Sequence, residues 1–225
     1  MKRFLAIFVL FLMTFSSGAA FAGATCDNFM YYFKNPQSTR LVPNLKCLLD
    51  NNYLQVQAAI KPAVHFFAAA IRNSNKEELL LHQLDQLKAH YSGDQQAIID
   101  SIIQETKHFR SPPADSDLNF DLLWSEFFAT GSAEPVRKIA SYLKLDSTES
   151  KTAITCLASA EWSLASNAAQ LPRVLKILKD LYPSSTGIMK RRLKRIIDDP
   201  KGAADLFYNA STTAPNFKAF TAIVW

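Results

Sequence analysis

Phe120, Leu123, Trp124, Phe127 and Phe128 recur at i, i+3, i+4, i+7 and i+8 in the stretch FDLLWSEFFATG. With 3.6 residues to a turn, that spacing puts five large apolar side chains on one helix face. Gly131 follows as a left-handed stop and Ser132 as the cap of a next helix. Glu134 suits the positive end of that helix, and Pro135 is tolerated in its first turn. Val136, Ile139, Ala140 and Leu143 then repeat the spacing. Two amphipathic helices joined by so short a turn predict an αα-hairpin, in which each stripe needs a neighbour to bury it.

The same grammar runs through the rest of the chain. Ile60, Val64, Phe67 and Ile71 mark a helix over about 62–72, and Asn73-Ser74-Asn75 breaks it. Leu80, Leu84 and Leu87 mark a second helix reaching about Tyr91. Ser92-Gly93-Asp94 starts a third, carrying Ile98, Ile99, Ile102 and Ile103. SPPADSD, from Ser111 to Asp117, reads as a proline-rich connection. Ser147 to Ser150 form a capping-box candidate, with Ser150 where Glu is preferred, ahead of TAITCLASAEWSLASNAA. Val174, Ile177, Leu178 and Leu181 stripe the next segment, and Met189, Leu193, Ile196 and Ile197 the one after. Strand signals are scarce: there is no Asn-Gly or Asp-Gly turn. The expected fold class is all-α, with tandem antiparallel helical hairpins in an irregular α-solenoid. A compact multi-helix bundle is the alternative. FFAAAIRNSNKEELLLHQL aligns with FFATGSAEPVRKIASYL, but the intervals between such copies are unequal, unlike a regular repeat.

The first residues are read as a targeting segment rather than as fold. Lys2 and Arg3 precede the apolar run FLAIFVLFLMTF, and two A-x-A cleavage sites follow, Ala20-Phe21-Ala22, which is favoured, and Ala22-Gly23-Ala24. The run is shorter than the ~20 residues a membrane-spanning helix needs. The expectation is therefore a cleaved signal peptide over 1–22, an exported protein (periplasmic or secreted), and a single domain over 23–225. Export means an oxidising compartment, so the three cysteines matter. Cys26 with Cys47 is the expected pair because its loop is short, leaving Cys156 over; three buried thiols is the alternative reading.

The chain carries 25 Lys and Arg against 20 Asp and Glu, for a net charge of +5. Lys2 and Arg3 belong to the leader, and Lys190, Arg191, Arg192, Lys194 and Arg195 cluster in KRRLKR. Without these seven the balance is 18 to 20, so the positive excess belongs to one segment. Lys190, Arg191, Lys194 and Arg195 are expected on the helix face opposite Met189, Leu193, Ile196 and Ile197. Such a face suits an anionic partner, whether a protein or an anionic membrane surface; the plainer reading is a solvated face. Nucleic acid is not expected, since exposed aromatics do not interleave with the cations.

Motifs for chemistry are sparse. His65, His82, His90 and His108 show no metal-ligand spacing, and there is no CxxC or HExxH. No P-loop, dinucleotide fingerprint or nucleophile elbow occurs, and six glycines leave little for phosphate-cradling loops. Cys156 sits among small apolar residues, a core context in which a thiol is inert. Asp198-Asp199 is awkward, since negative charge is unfavourable at a helix C-terminus. No catalytic, cofactor or metal residue is assigned. The functional expectation is a non-enzymatic helical scaffold or adaptor that binds another protein. A carrier of an apolar ligand, suggested by the Phe66-Phe67 and Phe127-Phe128 doublets, comes second, and an enzyme third.

Overall fold

A computed structural model describes residues 26, 29–55, 57–113, 117–145 and 151–213. The expected signal peptide, the capping box at Ser147 to Ser150 and the C-terminal NFKAFTAIVW lie outside the described residues. The fold is all-α: the described residues form ten α-helices with short 3-10 turns and no strand. Two compact units share the chain. One comprises the described residues up to Ser111 together with Ser125–Gly131; the other comprises Pro112–Trp124 and everything from Ser132 onward.

The first unit holds α1 (Leu41–Asp50), α2 (Gln57–Arg72), α3 (Glu77–Lys88), α4 (Gly93–Lys107) and the end of α5 (Asp117–Thr130). Every residue from Ala63 to Ile71 is buried, so α2 is enclosed on all sides and forms the centre of this unit. Ala68, Ala69 and Ala70 are small enough to let neighbouring backbones approach. The α4 helix packs along α2 and turns Ile98, Ile99, Ile102 and Ile103 inward. The α2 helix begins five residues before the expected start, which places Pro62 inside it. That proline sacrifices one intrahelical bond, and the buried face around it outweighs the loss. The α3 helix ends at Lys88, short of Tyr91, and its last turn tightens into i to i+3 bonds from Ala89, His90 and Tyr91.

The phenylalanine doublets are part of the packing. Phe66 and Phe67 meet edge to face at 5.5 Å, as do Phe127 and Phe128 at 5.7 Å. Tyr32 and Phe33, ahead of α1, lie against Phe66 and Phe127 respectively. Burying one such ring stabilises a fold by about 1.5–3 kcal/mol.

The second unit is arranged around α7 (Lys151–Gln170), with α6 (Ala133–Ala140), α8 (Pro172–Leu181), α9 (Gly187–Asp198) and α10 (Pro200–Thr213) packed on it. Cys156, Leu157, Ala160, Leu164, Ala165 and Ala168 line its buried side. The turn before α6 forms as expected. Gly131 takes φ +67°, a conformation that side chains disfavour, and Ser132 Oγ accepts a bond from Glu134 N–H.

The last helix accounts for the Asp198-Asp199 pair. α10 starts at Pro200, so Asp199, which closes α9, is at the same time the cap of a new helix. Its Oδ1 accepts from Gly202 N–H at 2.9 Å, while Asp198 pairs with Lys194 one turn back. A Cβ built on Gly202 would stand 2.0 Å from Asp199 Oδ2, so glycine keeps room for the capping carboxylate.

Candidate functional site

The segment singled out by charge is α9. Leu193 and Ile196 are fully buried, and Met189 and Ile197 are half-buried, which fixes how the helix is rotated. Arg191 and Lys194 then face solvent. Lys190 is half-buried, with Nζ 5.0 Å from the centre of the Tyr182 ring at the end of α8. Arg195 is turned partly inward, its side chain 33% exposed, and its Nη2 donates to Glu161 Oε1 at 2.8 Å. Arg192, which the sequence pattern left out of the group, is 4% exposed and lies under the helix.

Glu161 explains both arginines. It sits on α7 with no solvent exposure, and its Oε1 is 3.2 Å from Arg192 Nε as well as within reach of Arg195. Arg192 also donates through Nη1 to the carbonyls of Leu143 and Leu145, beyond the end of α6. Burial pushes the Glu161 carboxyl up to about 7, against the opposing pull of Arg195 and Arg192. One carboxylate thus faces two guanidinium groups, and the cluster carries excess positive charge beneath α9.

The exposed cations extend beyond KRRLKR. Val174, Ile177 and Leu178 face the core, so α8 shows Arg173, Lys176 and Lys179 to solvent. Lys179 lies one turn before Tyr182, whose ring carries Lys190, and α8 and α9 pack together. These two packed helices thus present a cation-rich surface, with Arg173, Lys176 and Lys179 exposed on α8, Arg191 and Lys194 exposed on α9, and Lys190 half-buried. Asp180 and Asp198 interrupt it, each paired with the lysine one turn earlier, Lys176 and Lys194. Exposed pairs of that kind are screened by water and add little stability, so the lysines stay available to a partner.

A second cluster lies in the first unit. His65 is 2% exposed at the middle of α2. Its Nδ1 is hydrogen-bonded to Glu105 of α4, and its Nε2 lies 3.7 Å from Glu126 Oε2 of α5. The Phe109 ring stacks on the imidazole at 5.1 Å. Burial works to lower the His65 pKa, but the carboxylates of Glu105 and Glu126 outweigh it, and the net direction is upward.

Cys26 and Cys47 are joined in a disulfide, with Cα atoms 5.7 Å apart, which fastens Cys26 to α1. Cys156 is buried in α7 and takes no part in that bond. His82, His90 and His108 are exposed. Among the described residues no three His, Cys, Asp or Glu side chains gather as a metal site, and no helix is long and apolar enough to cross a membrane.

Sequence reasoning missed Glu161 and Glu126. The signal was present: each is a lone acid in a stretch of small or aromatic residues, ASAEWSLAS and LWSEFFA. A carboxylate at such a position needs a buried partner. Comparison of the chain with protein-family models, curated proteins and solved structures gives no match.

Proposed function

We propose that the protein is an exported helical scaffold that binds an acidic surface of a partner protein through the cation-rich surface of α8 and α9. The observation that carries this reading is the concentration of exposed cations, Arg173, Lys176, Lys179, Arg191 and Lys194, on two adjacent helices, with half-buried Lys190 beside them. Both helices are anchored from below: α8 by Val174, Ile177 and Leu178, and α9 by Leu193, Ile196 and the Arg192 bonds. A rigid charged surface steers an oppositely charged partner and fixes its register. Leu193 and Ile196 of α9 are committed to the core, which favours a protein partner over insertion into a membrane interface. A repeating hairpin arrangement would give such a surface an extended frame, and it belongs to this proposal.

The test is crosslinking of the full chain in its own exported fraction. Wild type is compared with a Lys179→Glu, Arg191→Glu, Lys194→Glu variant. The expected result is one partner crosslinked near α8 and α9, lost in the variant and in high salt. Equal capture by both proteins would overturn the proposal. Salt-sensitive binding to anionic vesicles with no protein captured would replace it with the membrane reading.

A further inference from the structure

Three helices distant in sequence converge on one imidazole. His65 comes from α2, Glu105 from α4 and Glu126 from α5, and the ring is enclosed with Phe109 stacked on it. His65 Nε2 and Glu126 Oε2 are both buried, face one another at 3.7 Å, and have no hydrogen-bond partner. A neutral imidazole carries one N–H and serves one carboxylate; its other nitrogen turns a lone pair toward the second. An imidazolium donates to both. Which case holds decides whether a buried carboxylate of α5 has a counter-charge.

The groups facing His65 can be named element by element. From α4 it is Glu105, from α5 Glu126, and from the segment after α4 the non-titrating Phe109. On α2 itself, Lys61 lies one turn earlier and is exposed. On α3 and its flanks, Glu77 pairs with Arg72 and Lys88 with Asp100. Tyr32, ahead of α1, meets Phe66.

We propose that His65 is a proton-operated clasp within the first unit. Protonated, it ties α2 to Glu105 of α4 and to Glu126 of α5. Deprotonated, it keeps one carboxylate and lets the other go, loosening the end of α5 and the segment around Phe109. The upward pKa direction of His65 sets the sense of the device. The clasp is closed below the ordinary histidine value and opens as pH rises through the higher value of the folded state.

The experiment uses the full chain. The His65 ring is titrated by NMR, and amide hydrogen exchange, corrected for intrinsic rates, is measured at about pH 5.5 and about pH 8.5, on either side of histidine titration. Wild type is compared with Glu126→Gln and His65→Gln. In wild type, residues 102–109 and 125–130 should lose protection severalfold at the higher pH. Glu126→Gln should stay protected at both, because its neutral amide can donate to a neutral imidazole. His65→Gln should be loose at both. Protection in wild type that does not change with pH would overturn the clasp, as would a Glu126→Gln variant with unaltered pH dependence. If His65→Gln fails to fold, the titration and Glu126→Gln decide.

Discussion

Arg192→Met removes a buried guanidinium while keeping most of its length and apolar stem. Three contacts go with it: the ion pair to Glu161 at 3.2 Å and the bonds to the carbonyls of Leu143 and Leu145. Glu161 has no exposure, so water cannot replace the lost charge at that side. Removing one partner of a buried pair costs about 3–5 kcal/mol where the other charge is stranded; Arg195 stays on Glu161, so the ion-pair part falls below that. Each stranded carbonyl adds about 1–3 kcal/mol if it stays dry, but protonation of Glu161 and movement at the end of α6 offset part of that. The expected loss is therefore about 3–5 kcal/mol. Urea unfolding at 25 °C followed by circular dichroism reads it directly. With a denaturant dependence of about 2 kcal/mol per molar, the midpoint should fall by roughly 1.5–2.5 M. Arg195→Met, whose side chain is one-third exposed, should cost clearly less. The Glu161→Gln/Arg192→Met double variant should cost less than the sum of its singles, because the pair is removed together. A midpoint shift near zero for Arg192→Met, or strict additivity in the double variant, would refute the role given to this cluster.

The same cluster should make stability depend on pH. The Glu161 carboxyl rises from 4.5 to about 7 on folding, so its contribution is full below pH 4.5 and is lost as pH rises through 7. At about 1.4 kcal/mol per unit that is about 3 kcal/mol, and Glu161→Gln should remove this part of the pH dependence of urea midpoints. Asp199→Ala should cost about 0.5–2 kcal/mol by uncapping α10, and Gly202→Ala should mimic it by displacing the same carboxylate, both seen as a lower thermal midpoint. Peptide mapping without reductant should recover Cys26 linked to Cys47, and Cys156 should react with a thiol reagent only after denaturation.

The helices were legible because their signal is local. Phe120 to Phe128 announce a helix without reference to the rest of the chain, and Gly131-Ser132 announce its end. The ion clusters were not, because each depends on which distant helix arrives opposite. Periodicity assigned Arg195 to the solvent side with Lys190, Arg191 and Lys194, yet Glu161 draws it partly inward. Arg192 falls beside Ile196 on the wheel, and the carboxylate on α7 with the carbonyls of Leu143 and Leu145 makes that position tolerable. His65 carried no spacing to any partner, since Glu105 and Glu126 come from separate helices. The cation-rich surface was half visible: KRRLKR stood out by density, whereas Arg173, Lys176 and Lys179 are diluted by the apolar residues between them.

The α5 helix gives its beginning to one unit and its end, from Ser125, to the other. During synthesis the first unit therefore stays incomplete after Ser111 has left the ribosome. Phe127 and Glu126, which meet Phe33 and His65, arrive only after the second unit has begun to emerge. Neither unit can be excised as one continuous stretch, and a chain cut at Ser111 would lack part of its own core. The two units are thus bound to a common order of assembly, and duplication or loss of either one by a single gene segment is closed to this chain.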